Sequence, residues 1–456
     1  MAPRRSRPSQ PPSLLLMLLA LLLPLLAACG GSAPLSAGAG GIAEPAVGAV
    51  ASQPTTAPAM SSAAEAPRPA AGADVAAPAA IAAAPTSAPA ASGAALQPTA
   101  APASTQQQYT PLRAGEVDDN TDFTGYLAYL RNSGGVRAHT VDVSERYVIT
   151  VLNDNQQPVL DARVRIFDGQ AQVFMGRTYA GGKTIFQPQA LGISPNVQSL
   201  RVQIEKGNRV AEGSLLRGQS DTPSFVLREA QALPGTPRLD VLFLLDATGS
   251  MGDEIAQIQQ TIVSIAERID RMQPRPELRF ALVSYRDRGD DYVTRVHDFT
   301  ADVAAFRELL LATSAGGGGD EPESLNEALH AAVARVSWAD DAVRLAFLVA
   351  DAPPHLDYTQ DYDYVSEAQA AVAQGVKVYT IAASNTGDEA EYVMRQIAQQ
   401  TLARFIFLTY QAGQNSGVPG DTTVHTVDPA AFTVERLDDL VVQVVQRELA
   451  LAQGVA

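Results

Sequence analysis

The chain has 456 residues, a formal net charge of -16 and a single cysteine. Such an acidic balance excludes nucleic acid and anionic membrane surfaces as partners, because both reward clustered Lys and Arg. One thiol excludes intramolecular disulfides and thiolate zinc sites, and the five histidines (His139, His297, His330, His355, His425) show no H-E-x-x-H spacing.

In chain order, Arg4, Arg5 and Arg7 precede an apolar run at 14–26 that is too short for a spanning helix, so residues 1–28 read as a secretory signal. The run ends Leu26-Ala27-Ala28-Cys29-Gly30, which resembles the lipobox of bacterial lipoproteins. The resemblance implies cleavage before Cys29, lipid on that residue, and an extracytoplasmic protein anchored to the cell membrane or envelope. Residues 29–108 are Ala, Pro, Ser, Thr and Gly with almost no charge, a composition that cannot bury a core. They are expected to form a disordered tether with a reach on the order of 50 Å as a flexible coil.

Residues 109–233 read as a first folded domain. Phe123, Tyr126, Leu127 and Leu130 recur at helical spacing, and Asp118, Asp119, Asn120 and Asp122 crowd the helix start as capping groups. From 147 to 186, apolar and polar residues alternate between turns at 153–158, 168–169 and 181–182, which predicts antiparallel strands. Further strands at 199–204 and 225–227 complete a small sandwich. The succession ITVLNDNQQPVLDARVRIFDG, then TYAGGKTIF, resembles prealbumin-like or carboxypeptidase-regulatory-like sandwiches, and no residue in it suggests chemistry.

Pro234, Gly235 and Pro237 link to a second domain at 238–453. Its strands at 241–245, 278–285, 343–350, 376–382 and 404–408 are continuous apolar runs without polar alternation, separated by helical patterns and joined by an edge strand at 293–299. That pattern predicts an α/β fold, a doubly wound parallel sheet covered on both faces. Ligands of such sheets bind beyond the carboxyl ends of strands. Asp246 and Asp351 each stand at such an end, and the loop GGGGDEPES supplies a third. After Asp246, Thr248 and Ser250 alternate through the turn, so that a carboxylate and two hydroxyls converge. Hard oxygen ligands of this kind suit a small hard cation such as Mg2+.

DATGSM resembles the metal-ion-dependent adhesion site of von Willebrand factor A domains, whose pattern is D-x-S-x-S, with Thr248 in place of the first Ser. The resemblance covers about 239–450 and implies that Asp246, Thr248 and Ser250 ligate the ion, with Asp351 contacting it or its waters. Gly319-Asp320-Glu321-Pro322-Glu323 departs from the Thr usual in the second loop and is similar to the D-x-P-E of integrin β A-like domains. On that pattern Glu323 is the second-loop ligand and Asp320 serves a neighbouring cation. Asp287 would join the same neighbour, and Asp253 and Glu254 a flanking site for Ca2+ or Mn2+; for Asp253 and Glu254, helix capping is the competing reading.

The expected function is therefore binding of a protein ligand that offers a carboxylate to the ion, with no nucleic acid involved and the membrane reached through the lipid. Two rivals stand beside it. One is a hydrolase built on the Asp246 and Ser250 turn, where Thr248-Gly249-Ser250-Met251-Gly252 superficially follows a nucleophile elbow and His355 would be the base. The other is a metal-stabilised scaffold with no exchangeable ligand. Cys29→Ser is expected to release the protein from membrane fractions; retention of that variant after a carbonate wash would refute the lipid anchor.

Overall fold

Alternating polarity before residue 231 and unbroken apolar runs after it give rise to two kinds of sheet. The computed structural model describes residues 110–231, 235–319, 321–414 and 416–455; the signal, Cys29, the tether and Asp320 lie outside the described residues. In chain order the elements are β1 (Arg113–Val117), α1 (Phe123–Asn132), β2 (Tyr147–Leu152), β3 (Arg163–Asp168), β4 (Ala171–Arg177), β5 (Lys183–Phe186), β6 (Ser199–Lys206), β7 (Arg209–Leu216) and β8 (Ser224–Val226). There follow β9 (Arg238–Asp246), α2 (Ile255–Asp270), β10 (Glu277–Tyr285), β11 (Thr294–Thr300), α3 (Val303–Leu311), α4 (Leu325–Ala334) and β12 (Ala342–Ala350). The chain closes with α5 (Tyr364–Gln374), β13 (Val376–Ala382), α6 (Asp388–Gln400), β14 (Phe405–Thr409), β15 (Glu435–Arg436) and α7 (Leu437–Gln453).

The alternating segments build the sandwich. In β2, Tyr147, Ile149 and Val151 are buried while the residues between them are half-buried. Together with Val164, Ile166, Val202, Ile204 and Leu215 they fill the space between a four-stranded sheet, β4-β3-β6-β7, and a three-stranded one, β5-β2-β8. The expectation of a wholly antiparallel sandwich fails at one place. β8 returns to pair parallel with β2, because the chain crosses the other sheet through β6 and β7 before it comes back.

The apolar runs build a sheet of order β11-β10-β9-β12-β13-β14-β1-β15, in which β10 to β14 as ordered here run parallel. Every residue of β12 is buried. Successive residues of β9 enter opposite layers: Val241, Phe243 and Leu245 pack with α2 and α7, while Leu242 and Leu244 pack with α4 and α6. Each such side chain contributes roughly 1.5–3 kcal/mol relative to exposure. Among the described residues, no helix is long and apolar enough to cross a membrane.

The domain boundary differs from the one expected at 109. β1 lies antiparallel between β14 and β15, with Ala114 fully buried, so the segment before the sandwich completes the sheet that follows it. A buried ion pair holds this segment down. The carboxylate of Asp119 receives two bonds from Arg395 on α6, at 2.9 and 2.6 Å, and Arg395 also reaches Glu391 at 3.2 Å. Asp119 therefore does not cap α1. That work falls to Asp122, which accepts from Gly125 N, while Asp118 holds the turn before the helix by accepting from Asn120 N and Thr121 N. The sandwich is fastened in the same way, through Asp161, whose carboxylate accepts from Arg177 at 2.8 Å and from Arg344 of β12 at 3.0 Å.

Removing one member of a buried pair leaves an uncompensated charge, which costs about 3–5 kcal/mol. Arg395→Met should therefore lower the stability of the folded chain by that amount in denaturant unfolding, whereas Arg137→Met, at an exposed pair with Glu389, should leave it almost unchanged.

Candidate metal centre

Parallel pairing in register brings three strand ends level. Tyr285 of β10 lies beside Asp246, and Val349 of β12 lies beside Leu245, so Asp246 and Asp351 emerge together at the carboxyl end of the sheet. The buried Asp246 accepts from Thr248 N at 2.9 Å and Thr248 Oγ1 at 2.7 Å through one oxygen, and from the Tyr285 hydroxyl at 3.0 Å through the other. The hydroxyl oxygens of Thr248 and Ser250 are 3.2 Å apart, and Ser250 donates to Asp351 Oδ1 at 3.1 Å. A continuous run of oxygens thus joins Asp246 to Asp351.

The glycine loop straps this turn from above. Gly249 N donates to Gly317 O and Gly316 N donates to Ala247 O, both at 3.0 Å. At Gly318 the backbone has φ +62, and a Cβ would stand 2.3 Å from Glu323 Oε1 and 3.1 Å from Thr248 Cβ, so a side chain there would collide with the site. Beyond the strap, Glu323 N donates to Pro353 O and His355 N donates to Glu323 O, which ties the second loop to the third strand end. Glu323 is only 4% exposed, and its Oε2 has no hydrogen-bond partner. An open cleft of about 360 Å³ is lined by Gly249, Ser250, Gly318, Glu321, Glu323, Asp351 and Asn385.

Crowding of acids shifts their titration. Burial, then the charges of Asp246, Asp287, Asp351 and Asp290, pushes Glu323 up to about 9. Burial also raises Asp351, followed by the charge of Asp246, and burial raises Asp246 against the pull of its bonds from Thr248 and Tyr285. Among the described residues, no three acidic, histidine or cysteine side chains form a metal cage by themselves. The hydroxyls of Thr248 and Ser250 are needed to complete an oxygen set. An orphaned buried carboxylate oxygen, mutually repelling acids and neutral hydroxyls together fit a hard divalent cation.

The other candidates divide. Glu254 is the buried N-cap residue of α2, but its carboxylate accepts from Ser384 N and makes no capping bond, and its Oε2 has no hydrogen-bond partner, whereas Asp253 is exposed. Asp287, expected at a neighbouring cation, is pinned by Ser324 at 2.8 Å and the Tyr358 hydroxyl at 3.1 and 3.2 Å, with His355 Nε2 at 3.4 Å. Protein donors thus surround it where a cation was anticipated. Asp320 lies outside the described residues. Nor does the structure assemble the nucleophile of the hydrolase rival: Ser250 donates to Asp351, and the Nδ1 of His355 faces Asp357 at 2.7 Å.

Two contributors escaped the sequence reading. Tyr285, the last residue of an apolar run, orients Asp246. Asp290 holds the strap, accepting from Gly318 N at 2.8 Å and from Asp287 N at 3.1 Å. Two residues before Asp290, Arg288 pairs with Glu327 and with Asp361.

Residues 240–412 match the family model of the von Willebrand factor A domain. This segment has a von Willebrand factor A-like fold. Curated relatives include von Willebrand factor A domain-containing protein 7 of Rattus norvegicus, 34% identical over 143 residues, or 31% of this chain and 14% of that protein. Alpha-protein kinase vwkA of Dictyostelium discoideum is 28% identical over 127 residues, 27% of this chain and 20% of that protein. The chain thus spans a fifth or less of the length of these relatives. Among solved structures, the conserved hypothetical protein BatB from Bacteroides thetaiotaomicron aligns over 46% of this chain and 98% of its own, with 14% identity and a TM-score of 0.33.

The raised acids of the A domain give a signed pH dependence. Each holds its proton in the folded, ion-free state at a pH where the unfolded chain has lost it, so stability is full below the ordinary carboxylate range and falls as pH rises toward about 9. A bound cation must displace those protons. Thermal shifts with Mg2+ should therefore grow from pH 5 to pH 9, reaching roughly 2.7 kcal/mol at a hundred times the dissociation constant. Glu323→Gln should stabilise the chelated protein at pH 9 and reduce the Mg2+ shift. A shift independent of pH, or unchanged in that variant, would refute the site.

Proposed function

We propose that the protein is a lipid-anchored extracytoplasmic module that binds a protein partner through Mg2+ held by Asp246, Thr248, Ser250, Asp351 and Glu323. The observation that carries this reading is the unpartnered Glu323 Oε2 in an open cleft beside the run of oxygens from Asp246 to Asp351. When bound by these residues, the ion would supply an electrophilic position for a carboxylate of the partner.

The chain's own residues keep that position electrophilic. Both oxygens of Asp246 already accept protein hydrogen bonds and Asp351 accepts one from Ser250, so part of their charge is neutralised inside the protein. The two hydroxyls add donors without adding charge. Glu323 offers an oxygen with no competing partner, and Tyr285 and the glycine strap hold the turn so that little reorganisation accompanies binding. Of the flanking Ca2+ or Mn2+ cluster implied by the integrin-like loop, Asp287 accepts from Ser324 and Tyr358, while Glu254 accepts from Ser384 N through one oxygen and keeps the other buried without a partner. Cys29 and the tether would supply the anchor, in keeping with an A domain that acts at a distance from the membrane.

A pull-down from the source organism's envelope proteins, with the full chain as bait in Mg2+ or chelator, should retain a partner only with the ion. Asp246→Ala should lose that partner while keeping a cooperative unfolding transition. Mg2+-dependent stabilisation without any Mg2+-dependent partner would favour the scaffold, and turnover of an ester or phosphate abolished by Ser250→Ala would favour the hydrolase; either result overturns the proposal.

A further inference from the structure

An unprotected sheet edge is a template for another strand, and folded proteins usually shorten, bend or cover it. The edges described here follow that rule with one exception. β15 has two residues, β8 three and β5 four. β11 carries a register break against β10 and is packed by α3, while β4 is covered by α5. β7 has eight residues, no proline, and an unbroken register with β6 from Arg209 to Leu216. Its outward face also carries two of the most solvent-exposed aliphatic side chains, Val210 at 58% and Leu216 at 44%. None of its residues lines the strand-end cleft of the A domain.

We infer that β7 is a dimerisation edge that pairs antiparallel with β7 of a second copy, through a twofold axis at Gly213. Self-complementarity of the strand selects both occupant and register. Directly opposed residues of an antiparallel pair point to one face, so the axis must pass through a residue and not between two. An axis at Glu212 sets two carboxylates against each other, and one at Ala211 or Ser214 sets Glu212 against Val210 or Leu216. At Gly213, Val210 of each copy faces Leu216 of the other, Glu212 faces Ser214, and Ala211 faces Leu215. Both exposed aliphatic residues are then covered by each other, no like charges meet on the outward face, and the residue on the axis has no side chain to clash. The contact is isologous, so it closes at two copies. Its consequence is two A domains in one particle, which raises avidity for a partner displayed in several copies without any new contact at the ion.

Sedimentation equilibrium of the full chain carrying Cys29→Ser, so that lipid plays no part in association, should give a dimer. Ser214→Glu places like charges opposite each other twice and should weaken dimerisation about tenfold or more. Adding Glu212→Lys to that variant converts both repulsive pairs into attractive ones and should restore the dimer. Ser214 and Glu212 are exposed on the strand, and the contacts of Glu212 with Arg201 and Gln203 lie at the surface, so Ser214→Glu should keep the wild-type unfolding midpoint and the double variant should stay folded with a midpoint close to it. A monomer at every concentration, a dimer indifferent to Ser214→Glu, or a double variant that does not recover would each overturn pairing through Gly213.

Discussion

Unslipped pairing of β9 with β10 on one side and β12 on the other is the constraint on which the rest depends. Side chains alternate along a strand, so a slip of one residue in either pairing would turn Tyr285 or Asp351 away from Asp246. The register is held by two cores at once. Val241, Phe243 and Leu245 are committed to one helical layer, and Leu242 and Leu244 to the other, so neither set can move without exposing apolar surface. Precision at the strand ends is thus a product of burial far below them.

That rigidity makes it possible to collect acids where they repel. Asp246, Asp351 and Glu323 are all buried, and all are pushed toward their neutral forms. In a looser fold the loops would swing apart to relieve the repulsion. Here the glycine strap, hooked by Asp290 and bonded to the turn at Ala247 and Gly249, keeps them together. A divalent cation relieves the same strain, which is why the acids are better understood as one group than as separate ligands.

Polar seams, by contrast, decide how the pieces of the chain are assembled. Asp119 with Arg395 holds the leading segment on α6, Asp161 with Arg344 joins the sandwich to β12, and Lys377 on β13 reaches Glu448 on α7 at 2.6 Å. Each is directional and buried, and each fixes one relative position where apolar contact alone would permit several. The sandwich is therefore an insertion between the first strand of the large sheet and the remaining ones, fastened at its base.

Unbroken apolar runs and their polar termini were enough to determine the parallel sheet, its helical cover, and the convergence of Asp246, Thr248, Ser250 and Asp351, because strand burial and strand-end chemistry are both local in sequence. Alternation likewise marked most sandwich strands. What only the tertiary structure decided involves partners far apart in the chain. Nothing in RAGEV announces that β1 will pair with a strand almost three hundred residues later, since a short segment with little patterning takes its state from the edge it meets. The same holds for Asp287 and Glu254. Their type and spacing suit a cation, and only the fold decides that Ser324 and Tyr358 bond Asp287 while the backbone of Ser384 bonds one oxygen of Glu254 and leaves the other without a partner.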